Sequence, residues 1–571
     1  MIKDRLEQLR KILKEQNYSG YIISTTDEYL SEYTPAYAKR LEYITGFTGS
    51  NGLAIILQDT VLFFTDGRYI NQSFAQLDDH LFEVFDQQLL PDFPWEDYIQ
   101  KGQGIAYDSK IFSRKSLKYL KGISLKPYAK NLVDQIWENQ PAKPNSTIYD
   151  YPPEIAGKDY IEKINQVREF IKEHQASSLI LTNADSVCWL LNIRAHDVEF
   201  SPLLLAHAIV THDQIFLFTD TERYDNSHNK DITILPEEEF LSTINSLNGL
   251  ILFDKNLCSD HIATLIEKNQ CKDVCNPCIE WKAQKNPTEI RYMQKGHIQD
   301  AIAVCEMLAY LSAEDTSSLS EYDIGKKLTG LRAKRESYMM DSFPAICGYQ
   351  DNGAIIHYRA EKDSAKKLEG EGLLLIDSGG QYLGATTDIT RTIPIGAPQE
   401  EHKEYYTKVL KGHIALGMAV FPENKVTGAN LDILARQFLW KQGKDYAHGT
   451  GHGIGSFLSV HEGPQNISLT GTMSTIKKGM VISDEPGYYV PGKFGIRIEN
   501  MMYAKESKYP GFLEFAMLTL VPYSKELIII EMLNKEELAY IKEYYFNIET
   551  LVALHLSDNA KSWLKKQLDI L

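Results

Sequence analysis

The sequence predicts an α/β fold, in the broad sense that includes α+β, with two similar α/β domains in tandem followed by a larger domain of strands and helices. Three observations support this prediction. The chain has 571 residues, and a single hydrophobic core usually organises fewer residues than this. A helix-then-strand pattern occurs twice in its first half. Gly, Asp, His and Glu then concentrate between about residues 340 and 525, where we expect the chemistry.

The repeat begins with apolar residues at helical spacing over residues 2–13, followed by an apolar strand over residues 20–24. A second helix is predicted over residues 163–174 and a second strand over residues 178–182. Both copies reach the same tripeptide, Phe64-Thr65-Asp66 and Phe218-Thr219-Asp220. A repeated domain explains this match, although a helix followed by a strand is common in unrelated proteins.

Two polar segments divide the chain. A Pro-rich connector covers residues 140–147, and a turn over residues 285–289 leads into a helix that Thr288 is expected to cap. We therefore predict domains at residues 1–150, 151–286 and 287–571. From about residue 530 the pattern indicates a helical appendix, which would pack on the core or on a second subunit.

Composition excludes several classes of function. The formal charge of −17 and pI near 5.4 oppose binding to phosphate backbones, so nucleic acid is not an expected partner. No apolar stretch reaches the roughly 20 residues that span a bilayer, and the mixed charges of residues 1–7 do not resemble a signal peptide. We expect no membrane association, a cytoplasmic location, and reduced thiols for the seven cysteines.

Two aspartates mark the first candidate site. Asp377 ends an apolar strand, and Asp388 comes eleven positions later at the start of a β-branched segment. A hairpin through the intervening glycines would bring the two carboxylates together. Two aspartates that merely cap turns would give the same local pattern.

Three histidines follow within fourteen positions. His448 and His452 lie in AHGTGHGIG, residues 447–455, and His461 comes nine residues after His452. Each glycine costs about 1 kcal/mol in a helix, so this segment is predicted not to be helical, with its backbone close to a site and its imidazoles projecting into it. A single histidine is often a core residue, but three so close together favour a functional site.

Two glutamates complete the candidate set. Glu485 ends a strand that the following proline keeps extended. Arg497 and Glu499 alternate with isoleucines in GIRIEN, residues 495–500, so one strand would place both charged side chains on the same face. A buried glutamate must be protonated, paired or bound to a metal.

Together, Asp377, Asp388, His452, Glu485 and Glu499 offer four carboxylates and one imidazole. Such a crowd of anions requires positive charge, which two divalent cations would supply. Oxygen-rich ligation favours Mn²⁺, while Zn²⁺ and Co²⁺ also fit. Paired cations that activate water and polarise a carbonyl catalyse hydrolysis.

These residues and their order resemble the pita-bread metallopeptidases, and most closely the three-domain aminopeptidase P group within that family. The resemblance covers nearly the whole chain. It includes segments outside the acidic set: YITGFTGS (43–50), FTDGRY (64–69), NLVDQIW (131–137), WLLNIR (189–194), NGAIIHY (352–358), VHEGP (460–464) and DEPGYY (484–489).

The resemblance implies a fold of two creatinase-like domains followed by a pita-bread catalytic domain. It also implies a role for each site residue. Asp377 and Asp388 would bind one metal, Asp388 and Glu499 would bridge, and His452 and Glu485 would complete the second site. His357 and His461 would bind peptide and support the reaction, His448 would line the site, Arg497 would orient a neighbouring charge, and Arg68 would contact substrate.

The implied function is that of a metal-dependent aminopeptidase, a hydrolase that releases the N-terminal residue from peptides with proline in second position. A homodimer is common in this family. The nearest alternative is a prolidase-type Xaa-Pro dipeptidase, which usually has one N-terminal domain rather than the two predicted here. A third possibility is a binding protein of the same fold, but members with that role lack metal ligands that this chain retains.

Overall fold

The structure is a computed structural model that describes residues 1–100, 102–128, 130–225, 229–313 and 315–569. These residues form two compact units: residues 1–153 with 158–278, and residues 154–157 with 279–571. The α/β fold class is confirmed. The division into three domains at residues 150 and 286 stays a prediction.

The first α/β fold contains a six-stranded sheet and four helices. Its helices are α1 (Ile2–Glu15), α2 (Arg40–Thr45), α3 (Ile70–Gln76) and α4 (Arg114–Leu117), and its strands are β1 (Gly20–Ser24), β2 (Leu53–Leu57), β3 (Val61–Thr65), β4 (Phe82–Asp86), β5 (Gly104–Asp108) and β6 (Ser124–Tyr128). The strand order is β4-β3-β2-β1-β5-β6. Leu6, Leu9 and Leu13 lie on one side of α1 and are fully buried, as their helical spacing predicts.

The second fold repeats this arrangement. Most residues of α5 (Pro153–Ala156) and of α10 (Pro277–Ala283) belong to the second unit. The helices of the fold are α6 (Tyr160–Glu173), α7 (Ala184–Leu191), α8 (Phe240–Ser246) and α9 (Asp260–Ile266), and its strands are β7 (Tyr149–Asp150), β8 (Ser178–Leu181), β9 (Ile193–Arg194), β10 (His207–Thr211), β11 (Ile215–Phe218), β12 (Ile232–Leu235), β13 (Ile251–Phe253) and β14 (Cys271–Asp273). The sheet order is β12-β11-β10-β8-β13-β14.

Corresponding neighbours in the two sheets also pair in the same directions. β1 is antiparallel to β2 and parallel to β5, and β8 is likewise antiparallel to β10 and parallel to β13. The repeat that the sequence predicts is therefore confirmed at the level of strand order and direction.

A cation on the first helix of each copy holds the end of the next helix. Arg5 Nη1 donates to the Tyr43 carbonyl at 2.5 Å, and its guanidinium lies 3.8 Å from the Tyr43 ring centre. In the second copy, Lys163 Nζ donates to the Trp189 carbonyl at 2.8 Å and lies 4.4 Å from the Trp189 ring. Both contacts combine a hydrogen bond with a cation–π interaction.

After residues 279–283 of α10, the second unit continues with two helices and then with the strands that carry the candidate site. Its helices are α11 (Pro287–Ala313), α12 (Glu321–Arg332), α13 (Glu400–Gly417), α14 (Gly428–Trp440), α15 (Lys535–Leu551) and α16 (Asp558–Leu568). Its strands are β15 (Tyr338–Asp341), β16 (Ile346–Tyr349), β17 (Gly372–Ser378), β18 (Gly380–Tyr382), β19 (Ala385–Thr386), β20 (Ile389–Ile395), β21 (Val420–Pro422), β22 (Gly451–Gly453), β23 (Glu462–Ile467), β24 (Val481–Asp484), β25 (Gly487–Val490), β26 (Phe494–Arg497), β27 (Asn500–Glu506) and β28 (Phe512–Met517).

Four sheets organise these strands. The largest has the order β21-β28-β27-β24-β22-β23, two three-stranded sheets have the orders β16-β17-β20 and β15-β18-β19, and β25 pairs with β26. The C-terminal helices predicted from about residue 530 pack on the core of this unit, because Ile541, Ile548 and Leu564 belong to the same buried cluster as Leu374 of β17.

The start of α11 differs in one detail from the sequence prediction. Asn286, rather than Thr288, caps the helix: its Oδ1 accepts hydrogen bonds from the backbone N–H groups of Thr288 and Glu289 at 2.9 and 3.1 Å. The carboxylate of Glu289 in turn accepts from Asn286 N at 2.9 Å. Asn286 lies two residues before Thr288 and asparagine is the better N-cap residue, and the proline at 287 then occupies the first helical position.

All seven cysteines are free thiols, as predicted. None of the described helices combines the length and the apolar character that crossing a bilayer requires.

The buried lysine of the second copy leads to a stability prediction. Lys163→Met would leave the Trp189 carbonyl and Asn192 Oδ1, which accepts from Lys163 Nζ at 2.6 Å, without their donor. We expect the free energy of unfolding to fall by about 1–3 kcal/mol, measured by chemical denaturation. Lys172→Met, at an exposed position of the same helix, is the control; an equal loss in both variants would contradict the role of the buried ammonium.

Candidate active site

The first two acids are placed by neighbouring antiparallel strands. In the register of β17 and β20, Asp377 faces Thr390, and Asp388 directly precedes β20. Both side chains are buried, with 8% and 4% of their residues' surface exposed. The predicted pairing of these strands is confirmed, and it brings both carboxylates to one end of the sheet.

The connection between the two strands is not the simple hairpin turn that was predicted, because it contains strands of its own. It contains β18 and β19, which pair with each other and, through β18, with β15. At its start, a Cβ on Gly379 would lie 1.9 Å from the Thr387 carbonyl oxygen. Only glycine permits this close approach, so Gly379 allows the ends of β17 and β20 to come together.

A histidine and a third acid reach the same place from the largest sheet. His452 is the central residue of β22, and Glu485 follows the last residue of β24. His452 Nε2 lies 3.5 Å from Asp388 Oδ2 and 3.5 Å from Glu485 Oε1. A Cβ on Gly451 would lie 2.0 Å from the Ser483 carbonyl, which explains why this segment alternates glycine with larger residues. The prediction that residues 447–455 do not form a helix is confirmed, and residues 451–453 of this segment form β22.

A hydrogen bond from Thr390 holds the fourth acid, Glu499, beside the first two. β26 ends at Arg497 and β27 begins at Asn500, so the predicted continuous strand through Glu499 was wrong. The backbone leaves the β25–β26 hairpin here to join the largest sheet. Glu499 N donates to the Thr390 carbonyl at 3.1 Å, and Thr390 Oγ1 donates to Glu499 Oε2 at 2.8 Å. Glu499 is thus fixed against the strand that follows Asp388.

A buried arginine balances part of this negative charge. Arg497 Nη2 donates to Asp377 Oδ2 at 2.6 Å, and Nη1 donates to the Tyr489 hydroxyl at 2.7 Å. The Tyr489 hydroxyl also lies 2.8 Å from His448 Nε2. His448 Nδ1 is 4.0 Å from Glu485 Oε2, so the arginine, the tyrosine and the histidine form one chain of contacts along the acidic cluster.

Sequence reasoning missed Tyr489 and Thr390. Tyr489 stands in DEPGYY three residues beyond the proline, and alternation along β25 could have indicated that it shares a face with Glu485. Thr390 carries no comparable signal, because its role depends on contacts with Arg497 and Glu499 more than a hundred positions away.

His461 also lies at this site, and the residue that precedes His357 contacts Arg497 of the site. The ring of His461 is 4.3 Å from that of His452, with the planes at 82°. His461 also offers a nitrogen within 4.8 Å of ligand atoms of His452 and Asp388, so its geometry suits a metal as well as a peptide. His357 directly follows Ile356, whose carbonyl accepts a hydrogen bond of 3.4 Å from Arg497 Nη2.

Arg68 belongs to the other compact unit. Its guanidinium donates to Asp66, with Nε 2.9 Å from Oδ1 and Nη2 2.7 Å from Oδ2. The predicted contact between Arg68 and substrate stays a prediction.

The donor set fits metal ions. Three overlapping groups each place their ligand atoms within 4.8 Å of one another: Asp377, Asp388 and Glu499; His452, Glu485 and Glu499; and Asp388, His452 and His461. Glu499 belongs to the first two groups and Asp388 to the first and third. Asp377 Oδ1 and Asp388 Oδ1 are buried without a hydrogen-bond partner, which is unfavourable unless a cation lies against them.

The electrostatics of the metal-free protein agree with this interpretation. Burial, followed by repulsion from Asp377 and Glu485, raises the pKa of Asp388 well above its ordinary value. Burial and repulsion from Asp388 and Glu485 do the same to the pKa of Glu499. Burial also raises the pKa of Glu485, although His452 and Arg497 oppose the shift. Without cations, these groups would hold protons that the unfolded chain releases.

Comparison with known proteins gives matches along most of the chain. Residues 291–506 match metallopeptidase family M24, and residues 511–570 match the C-terminal region of peptidase M24. Residues 5–134 and 139–289 each match a creatinase/prolidase N-terminal domain.

Full-length relatives are similar over 99% of this chain. They include a probable Xaa-Pro aminopeptidase P of Laccaria bicolor, 36% identical with 93% of its length covered, and Xaa-Pro aminopeptidase 1 of Dictyostelium discoideum, 35% identical with 96% covered.

Two solved structures bear on the fold. An X-prolyl aminopeptidase from Caenorhabditis elegans, described as a cytosolic enzyme with a di-nuclear active site, is 29% identical and has a TM-score of 0.94, with 100% of both chains covered. A prolidase from Pyrococcus furiosus, 24% identical with a TM-score of 0.51, covers 62% of this chain and 98% of its own, and shares the fold over that part.

The raised pKa values predict how stability depends on pH. In the metal-free protein, the carboxyls of Asp388, Glu485 and Glu499 stabilise the fold when protonated. This contribution is complete below their unfolded pKa, about 4, and is lost as the pH rises through the folded values. We expect the unfolding temperature of chelated protein to fall as the pH rises above about 4, and a divalent cation to restore it at pH 7.

Asp388→Asn provides the matched test, measured by thermal denaturation across the same pH range. Removing one charge should make the metal-free variant less sensitive to pH and reduce its stabilisation by metal. If added cations leave the unfolding temperature of the wild type unchanged at pH 7, the cluster does not bind them.

Proposed function

Because the chain belongs to metallopeptidase family M24, we propose that it is a metal-dependent aminopeptidase that releases the N-terminal residue from peptides with proline in second position. The observation that carries this proposal is the convergence of four carboxylates and His452, which are separate in sequence, on one largely buried site. The full-length relatives have this activity in their names. A prolidase-type dipeptidase is the alternative, but the prolidase neighbour covers only 62% of this chain.

The proposed ligands are Asp377 and Asp388 for one cation and His452 and Glu485 for the other, with Asp388 and Glu499 shared. Two divalent cations in this site would polarise the scissile carbonyl and make water a better nucleophile. The oxygen-rich donor set favours Mn²⁺, with Zn²⁺ and Co²⁺ as alternatives.

Glu485 is the proposed proton carrier. An Xaa-Pro bond is a tertiary amide, so its nitrogen must gain a proton before it leaves as the secondary amine of proline. Glu485 Oε2 lies 4.0 Å from His448 Nδ1, and burial raises the pKa of Glu485. A carboxylate in this setting accepts a proton from attacking water and delivers it to the proline nitrogen.

The neighbouring residues would bind and orient the peptide. His357 and His461 are proposed to donate hydrogen bonds to the substrate and to support the developing oxyanion. His448 is proposed to line the site, where it contacts the Tyr489 hydroxyl. Arg497 is proposed to orient Asp377, to which it donates a hydrogen bond. Arg68 is proposed to contact the N-terminal side of the substrate. Together these are the candidate catalytic and substrate-binding residues.

The proposed organisation is two creatinase-like domains, residues 1–150 and 151–286, followed by a pita-bread catalytic domain, residues 287–571. We also propose a homodimer. Phe546, Leu551 and Leu554, in and after α15, are 67%, 43% and 79% exposed, and we propose that these apolar side chains take part in the subunit contact.

A cytoplasmic location is proposed on two grounds. All seven cysteines are free thiols, which suits a reducing compartment, and the C. elegans structure is described as that of a cytosolic enzyme. With a net charge of −17, no nucleic acid partner is proposed.

Substrate length and metal dependence test the function directly. We expect release of the first residue from an Xaa-Pro-Xaa tripeptide, little or no cleavage of an Xaa-Pro dipeptide, loss of activity with a chelator, and recovery when Mn²⁺ is added back. Free amino acid is measured by chromatography. Cleavage of the dipeptide alone would favour prolidase, and activity that survives complete metal removal would refute both assignments.

The role of Glu485 is tested by Glu485→Gln. The variant should fold, because the amide is nearly isosteric, but its kcat should fall on the order of 100- to 10,000-fold from loss of proton transfer. Metal content is measured alongside kcat, since Glu485 is also a proposed ligand. Glu506→Gln, on the exposed end of β27, is the control; near-normal turnover in Glu485→Gln would remove the proposed role.

A further inference from the structure

A second buried carboxylate lies outside the acidic cluster. Glu321 is the first residue of α12 and is completely buried. Its Oε1 accepts hydrogen bonds from Tyr349 N at 2.7 Å and Asn352 Nδ2 at 2.9 Å. Its Oε2 accepts from the Tyr358 hydroxyl and Lys366 N, both at 2.8 Å. Both oxygens are therefore held by donors.

All these donors belong to one segment, residues 349–366, which we call the His357 loop. The loop begins at Tyr349, the last residue of β16, and ends at Lys366, six residues before the start of β17 at Gly372. Glu321 N also donates to the Lys366 carbonyl at 2.9 Å. A single side chain thus ties together the two ends of the loop, and through Asn352 and Tyr358 it also holds the interior.

The His357 loop packs directly on the strand that carries Arg497. A Cβ placed on Gly495 of β26 would lie 1.7 Å from the Gly353 carbonyl oxygen. Further along the loop, the Ile356 carbonyl accepts a hydrogen bond of 3.4 Å from Arg497 Nη2. His357 is the next residue, so its position follows from how the loop lies on β26.

The hydrogen bonds between Glu321 and the His357 loop indicate that Glu321 fixes the position of the loop and does not merely fill space in the core. A buried carboxylate is costly without partners, and hydrogen bonds to a charged acceptor are about twice as strong as neutral ones. The N-terminus of α12 further stabilises the negative charge of Glu321. Two backbone N–H groups from opposite ends of the loop point at different oxygens, and only a symmetric acceptor such as a carboxylate accepts from both.

We propose that Glu321 is a positioning residue for His357: it closes the His357 loop and thereby sets the imidazole against the acidic cluster. This inference rests on the proposed function, because the role of His357 in the reaction is part of it. Among the described residues, the hydrogen-bond partners of the Glu321 carboxylate are Tyr349, Asn352, Tyr358 and Lys366, none of which is a candidate metal ligand.

Glu321→Gln is the direct test. The amide replaces one oxygen by an NH₂ group, which must then face the backbone N–H of either Tyr349 or Lys366, and that end of the loop is released. We expect kcat/KM for an Xaa-Pro-Xaa tripeptide to fall on the order of 100-fold, mainly in kcat, with bound metal unchanged. Tyr358→Phe removes one hydrogen bond and should give a smaller loss in the same direction.

Glu537→Gln is the matched control. Glu537 is also a buried carboxylate in the first turn of a helix, α15, where it pairs with Lys411 and accepts from Asn534 N at 2.8 Å. This substitution should lower stability but leave kcat/KM within about twofold, if loss of a buried carboxylate alone has no kinetic effect. An equal kinetic loss in both variants would overturn the proposal.

A double-mutant cycle tests whether Glu321 acts through His357. In a His357→Ala background, Glu321→Gln should cause no further loss of kcat/KM, because the group that it positions is gone. If Glu321→Gln lowers kcat/KM by the same factor in both backgrounds, Glu321 does not act through His357.

Hydrogen exchange tests the anchor separately from the activity. Amides of residues 349–366 should exchange faster in Glu321→Gln than in the wild type, while those of β17 and β20 stay protected. Unchanged exchange in the loop would overturn the proposal whatever the kinetics show. If the wild type cleaves no Xaa-Pro peptide, the proposed function fails, and the exchange result still decides whether Glu321 holds the loop.

Discussion

The mutual repulsion of three buried carboxylates and one half-buried carboxylate is the constraint on which the catalytic unit depends. Asp377, Asp388, Glu485 and Glu499 would not remain ionised together in a protein interior unless positive charge offset them. Arg497 offsets part of this charge by pairing with Asp377, and the raised pKa values of the other three carboxyls show that the arginine is not sufficient. Two divalent cations meet the remaining requirement.

Several sheets are needed to hold these anions together. Asp377 and Asp388 come from one three-stranded sheet, His452 and Glu485 come from the largest sheet, and Glu499 lies between that sheet and the β25–β26 hairpin. Each acid lies at or just beyond the end of a strand, where the backbone is free to turn and the side chain reaches a common space. The glycines beside these strand ends permit backbone approaches that any side chain would block.

The polar residues around the candidate ligands position those ligands and are not proposed to bind metal. Thr390 and Tyr489 fix the ligands and their neighbours through hydrogen bonds, and the proposed role of Glu321 extends this arrangement to the loop of His357. Rigid support of this kind lowers the cost of orienting a substrate for reaction. The catalytic unit thus has an inner set of anions, whose charge requires cations, and an outer set of polar side chains, whose hydrogen bonds are made to other protein groups.

The sequence by itself determined the elements and the chemistry of the ligands. Spacing of Leu6, Leu9 and Leu13 predicted a helix, the matching FTD tripeptides predicted a repeated fold, and the glycines around His452 excluded a helix, because each signal is local and depends on backbone preference or side-chain period. The tertiary structure decided the rest. Thr390, Tyr489 and Glu321 gained their roles from partners distant in sequence, and strand β26 ended before Glu499 because the chain changes sheets there. Long-range contacts of this kind leave no local pattern, so only the folded chain reveals which polar residues meet.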